Sequence, residues 1–127
     1  MKLNPYLMFP GTCREALTFY KELLNGEIVL IQTMEDAPFE TPDEHKQRIF
    51  NAHFRAGDLF FMASDDQPDN PVVQGGNFAM FVTFSESAEQ ERVFAGLSEG
   101  GKVQFPLEHG FGMLTDKFGI QWMLASQ

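Results

Sequence analysis

The chain has 127 residues, enough for one domain with a buried core, and its 43% hydrophobic content with 14 Phe suits a globular fold. Its 18 acidic and 9 basic residues leave a formal charge of −9, so Coulomb repulsion opposes nucleic acid or an anionic membrane as partner. No apolar run reaches the roughly 20 residues that span a bilayer, and the single cysteine, Cys13, has no partner for an internal disulfide, which fits a reducing compartment.

Leu3 to Phe9 is apolar almost throughout and reads as a first strand covered on both faces. The opening Met1-Lys2-Leu3-Asn4-Pro5 lacks the long apolar stretch of a secretion signal, so a cytoplasmic home is expected. Thr12 looks like a helix N-cap, and Glu15 completes a capping box by reaching back to the Thr12 amide. Ala16, Leu17, Tyr20, Leu23 and Leu24 then form one apolar stripe, and Asn25-Gly26 ends the helix. Glu27 to Met34 is the second strand. Glu35 to Gln47, with Pro38 and Pro42, has no periodicity; it is either a long mobile loop beside the mouth of a site or a plain solvated connection. Ile49 to Ala56 alternates as a third strand, with Phe50, Ala52 and Phe54 on one face and Asn51, His53 and Arg55 on the other. Gly57-Asp58 makes a tight hairpin into Leu59 to Ala63.

Asp65 to Gly76 is a Pro/Gly/Asp-rich join, after which the same order repeats. Asn77 to Phe84 is a strand, Ser85 or Ser87 caps a helix carrying Val93, Phe94 and Leu97, and Gly100-Gly101 stops it. Lys102 to Leu107, Phe111 to Thr115 and Ile120 to Ala125 are the last strands. Overlaying the halves puts Phe19 on Phe94, Gly26 on Gly101, Ile28 on Val103 and Leu30 on Phe105; Gly57 to Ser64 falls on Gly119 to Ser126. The fold class is therefore α+β: paired βαβββ modules, about 1–64 and 77–127, forming a curved mixed sheet around a cleft with helices outside. They are taken together as one domain.

Ala16-Leu17-Thr18-Phe19-Tyr20 in the first helix and Thr115-Asp116-Lys117-Phe118-Gly119-Ile120-Gln121-Trp122-Met123 near the end, set in paired βαβββ halves, resemble the vicinal-oxygen-chelate superfamily. That superfamily includes glyoxalase I, bleomycin-resistance proteins, fosfomycin-resistance enzymes and extradiol dioxygenases. Pro5-Tyr6-Leu7-Met8-Phe9, Phe19-Tyr20-Lys21, Gly57-Asp58-Leu59, Met62-Ala63-Ser64-Asp65 and Gln121-Trp122-Met123 resemble its PhnB-like branch, whose members often carry a demethylubiquinone methyltransferase label. One departure is visible: similar sequences have a longer last hairpin with a Trp-Gly pair and an Arg, where here only His109-Gly110-Phe111-Gly112-Met113 stands.

The resemblance implies a divalent metal held by four side chains, one from the first and one from the last strand of each half. By spacing those positions fall at or next to Pro5, at Phe61, at Asn77 and at Met123; Pro and Phe offer no lone pair to a metal, Asn is weak and neutral, and a thioether is too soft for Mg, Mn or Zn. His45, His53 and His109 show no spacing that would put two on one face. No metal and no cofactor are expected. Cys13 at a helix start would have its thiol pKa lowered by the helix dipole, but no base can be assigned to it, and it reads as a small helix-start residue. Gly110-Phe111-Gly112 runs on into Met-Leu-Thr and is not a phosphate loop.

His53 and Arg55 are the polar residues of interest. Their face either meets solvent or a dimer partner, or lines the cavity, where His53 would act as a general base and Arg55 would hold a carboxylate or phosphonate. The reading is a metal-free small-molecule-binding protein, with His53, Arg55, Phe61, Asn77, Gln121 and Met123 around an aromatic and Met-lined cleft. Relatives are commonly homodimers, and a homodimer is expected. The alternatives are an enzyme of the same superfamily (isomerase, lyase or dioxygenase type, metal-dependent or using His53) and a dimeric interaction module without a ligand.

Overall fold

In the computed structural model, which describes all 127 residues, the order strand, helix, strand, strand, strand occurs twice. The first set is β1 (Tyr6–Phe9), α1 (Cys13–Leu24), β2 (Glu27–Thr33), β3 (Ile49–Ala56) and β4 (Leu59–Asp65). The second is β5 (Met80–Phe84), α2 (Ser87–Ser98), β6 (Lys102–Glu108), β7 (Phe111–Thr115) and β8 (Gln121–Ser126). The chain divides into two compact units, Met1–Val72 and Val73–Gln127. Each holds one four-stranded mixed sheet, ordered β1-β4-β3-β2 in the first and β5-β8-β7-β6 in the second. The class is α+β. No helix is long and apolar enough to cross a membrane.

In unit one, α1 buries Cys13, Ala16, Leu17 and Tyr20. The Tyr20 ring meets Phe54 and Phe61 edge-on at 6.5 and 6.0 Å, and those two rings stack at 4.9 Å. Leu7, Phe9, Ala52 and Ala63 complete this core. The helix is not capped by a Thr12–Glu15 box, for Thr12 makes no side-chain cap bond. Instead the Cys13 amide donates to Asp65 Oδ1 at 2.9 Å, and the Ile49 amide donates to Asp65 Oδ2 at 2.8 Å. One carboxylate thus caps α1 and anchors the start of β3 from the end of β4. At the other end Asn25, at φ 52°, takes the left-handed turn. Gly26 is required for a different reason: a Cβ there would lie 2.6 Å from the Phe54 ring and 2.8 Å from the Arg55 carbonyl oxygen.

Unit two repeats the plan. Gln90, Val93, Phe94 and Leu97 of α2 are buried, with Trp122, Leu114 and Leu124 beneath. Neither Ser85 nor Ser87 caps this helix; Glu86 holds the N-cap position without a side-chain bond. Asp116 ties the turn before β8, accepting from the Phe118 and Ile120 amides at 2.9 and 3.0 Å and from Trp122 Nε1 at 2.9 Å. The repeat reaches into irregularities: β2 shifts register between Ile28 and Leu30, and β6 between Val103 and Phe105, the pairs that overlay in sequence.

Several boundaries move. β1 begins at Tyr6 because Pro5 has no amide to donate, although its carbonyl accepts from the Met62 amide at 3.0 Å. It is an edge strand covered on one face, with Tyr6 and Met8 exposed. β5 begins at Met80, since the Phe78 carbonyl is taken by the Gln121 side chain. The 35–47 segment is tied rather than free of structure. It holds two short 3₁₀ turns, its ends are joined by amides of Met34 and Glu35 on Arg48 and Lys46 carbonyls, and Phe39 packs edge-on against Phe50.

Candidate functional site

Register assigns every strand side chain to a face, because paired residues point the same way. In unit one Leu7, Phe9, Phe54, Phe61 and Ala63 meet α1, while the alternate residues form an open face that the helix does not cover. On that face stand Tyr6 and Met8 of β1, Phe60 and Met62 of β4, and Asn51, His53 and Arg55 of β3. In unit two Met80, Leu114, Trp122 and Leu124 meet α2. The open face carries Phe81, Phe105, Phe111, Met113, Met123 and Gln121. Tyr6, Met8, Phe81 and Phe105 are 43, 56, 59 and 58% exposed, which is unusual for side chains of this size.

The expected site residues separate on this geometry. His53 and Arg55 share the open face of unit one, next to Met62 and Phe60 in the register. The His53 ring meets Phe60 edge-on at 5.7 Å, and the Arg55 guanidinium carbon lies 5.0 Å over the same ring. Phe60 was not among the expected residues, because only the register reveals it as the side chain that both touch. Met123 and Gln121 lie on the open face of unit two, Gln121 with its amide nitrogen on the Phe78 carbonyl. Phe61 is fully buried in the α1 core, so it belongs to packing and lines no open surface. Asn77 is exposed in the segment before β5, outside the sheet.

The slip at Phe61 has a physical cause. β3 and β4 are joined by Gly57-Asp58, whereas five residues, 116–120, join β7 and β8. Overlaying Gly57 on Gly119 therefore misplaces the following strands by one, and a one-residue shift exchanges the faces. The structural counterparts are Phe61 with Trp122 and Met62 with Met123.

The first parallel pairs at the open faces are Tyr6 with Met62 and Phe81 with Met123. These are the first-strand and last-strand positions of each unit, and they offer a phenol, a phenyl ring and two thioethers. That donor set does not fit a hard divalent cation. Nowhere do three His, Cys, Asp or Glu side chains stand together as a ligand group. His45 is near Glu44 at 3.7 Å, and His109 sits in the β6–β7 turn at φ 52°.

Cys13 reverses its expectation. Burial pushes the thiol up to about 12, the Asp65 carboxylate adds to this, and Arg14 opposes it more weakly. The amide that would have favoured a thiolate is already occupied by Asp65. A separate groove of about 610 Å³ beside α1 is lined by Arg14, Glu15, Glu44, Gln47 and Arg48. The Arg48 guanidinium is held by the Asp66 carboxylate and carbonyl.

A family model described as 3-demethylubiquinone-9 3-methyltransferase matches residues 1–125. The chain belongs to that family. Among solved structures, protein PA1353 from Pseudomonas aeruginosa is 36% identical with a TM-score of 0.89, covering 100% of this chain and 98% of that one. A putative 3-demethylubiquinone-9 3-methyltransferase, PhnB protein, from Bacillus cereus is 27% identical with a TM-score of 0.78, covering both chains completely at 100%. The fosfomycin resistance protein FosX from Mesorhizobium loti, 9% identical with a TM-score of 0.67, covers 98% of this chain and 90% of its own and shares the fold alone. The family is thus PhnB-like and of the vicinal-oxygen-chelate fold.

Proposed function

We propose that this family member is a small-molecule-binding protein that works without a metal, its ligand lying on the open sheet faces. The observation that carries the reading is that each sheet spends only one face on its helix. The other displays large aromatic and Met side chains with a few polar groups. Exposed apolar surface of that kind marks binding sites more often than it decorates a free surface. Thioethers and aromatic rings adapt to apolar ligands of varied shape. His53, Arg55 and Gln121 supply orientation.

The methyltransferase of the family description asks for a nucleoside methyl donor, whose ribose hydroxyls need a carboxylate partner. The carboxylates on the open faces, Glu27 and Glu108, stand at strand ends, which does not favour that group.

A thermal-shift screen of small molecules, run with and without Mg, Mn, Zn and Ni, tests the proposal. A true ligand at about 100 times its Kd stabilises the fold by about 2.7 kcal/mol. That gain should be indifferent to metal and to chelator. Stoichiometric metal in the purified protein, or binding that chelator abolishes, would refute it. Half-exposed His53 favours the enzyme alternative only if turnover is found and His53→Ala abolishes it while binding persists.

A further inference from the structure

The two open faces differ in where their cations stand. On that of unit two the cation is Lys102, at the start of β6 opposite Thr115, whereas that of unit one carries Arg55 beside an aromatic ring, with Glu27 as its register partner across β2 and no ion pair formed between the two. Arg55 is exposed and joins none of the ion pairs, although acidic residues outnumber basic ones 18 to 9. Its guanidinium lies 5.0 Å over Phe60, which is its direct partner across β3 and β4. A cation over a ring is held by the ring's quadrupole and spends no N–H group on an acceptor, so the guanidinium donors remain available to an oxyanion, where two parallel hydrogen bonds can form. His53 meets the same ring edge-on, with an interplanar angle of 76°. Met62, and beside it Tyr6, continue the surface with apolar side chains.

We propose that this face takes an amphiphilic oxyanion: a carboxylate, phosphonate or phosphate on a flat apolar body. The headgroup sits on Arg55 with His53 alongside, the body lies over Phe60 and Met62, and Phe60 is the residue that positions both polar groups. The inference rests on the ligand-binding reading above and narrows it to a ligand class. A cationic ligand, which the net charge of −9 would favour at long range, would meet the Arg55 guanidinium over Phe60 and find only Glu27, at the start of β2, to pair with.

Probes that share one body and differ in charge test it: 2-naphthoate, 2-naphthyl phosphate, 2-naphthamide and 2-naphthylmethylamine. Each is titrated while backbone amide shifts are followed by NMR. The expected result is shifts in β3 and β4 and a Kd for at least one anion about tenfold or more below those of the amide and the amine. Which of the two anions binds tighter separates carboxylate from phosphate sources. Arg55→Gln should erase the preference, whereas Lys2→Gln, with the same change of net charge, should keep it. Phe60→Leu should also lose the preference with the amide spectrum otherwise intact, and Phe60→Tyr should restore it. If all probes perturb the open face with equal affinity, or the amine binds best, the ligand class is overturned and the binding reading stands. If none perturbs either open face, both are overturned.

Discussion

At the scale of single residues, two buried carboxylates organise the units. Asp65, 4% exposed, joins the first amide of α1 to the first amide of β3. Charge-assisted bonds of this kind are strong, and their loss leaves two buried donors unpaired. Asp65→Ala is therefore expected to cost at least about 2 kcal/mol, read as a lowered urea midpoint. Asp65→Asn, which keeps one acceptor, should cost less. Cys13 gives a pH-dependent test. Near neutral pH the thiol is protonated in both folded and unfolded chains. Above about pH 8.5 the unfolded thiol ionises, while the folded one holds its proton to about 12. The unfolded state then binds fewer protons, so the native state loses stability as pH rises through that window. Urea midpoints measured from pH 8 to 11 should fall more steeply for the native chain than for Cys13→Ala, and native Cys13 should react slowly with thiol reagents.

At the scale of elements, the packing of Phe61, stacked on Phe54 and met edge-on by Tyr20, shows what holds a helix to its sheet. Phe61→Ala should cost about 3–5 kcal/mol, since a cavity opens under α1. Gly101→Ala should also destabilise, because its Cβ would press on the Thr115 carbonyl oxygen between β6 and β7. Both are checked by denaturant unfolding. The helices, the hairpin at Gly57-Asp58 and the doubled βαβββ order were legible from local signals: apolar periodicity, turn residues and glycine spacing. The faces of β8 relative to β4 were not, because they depend on turn lengths that an overlay of glycines ignores. The cap on α1 was invisible for a related reason. Thr12 and Glu15 have the local pattern of a capping box, but a carboxylate 52 residues away takes the amide. Likewise Arg55 and His53 could be placed on one strand face from alternation, whereas the ring between them comes from the neighbouring strand.

For the whole molecule, the two uncovered apolar sheet faces bear on assembly as well as on ligands. Surface of this kind on an otherwise acidic chain favours self-association. The expected outcome of sedimentation equilibrium is a mass of twice the 14.4 kDa of one chain. A monomer at all concentrations would leave the faces to ligands alone. The order of strands has a further consequence, for synthesis. In each unit the opening strand lies parallel to the closing one, Tyr6 against Met62 and Phe81 against Met123. A nascent chain emerging from the ribosome therefore cannot seat β1 until Ser64 has cleared the exit tunnel. Until then Tyr6 to Phe9 is an apolar segment awaiting its partner, and the first unit completes its sheet late rather than strand by strand.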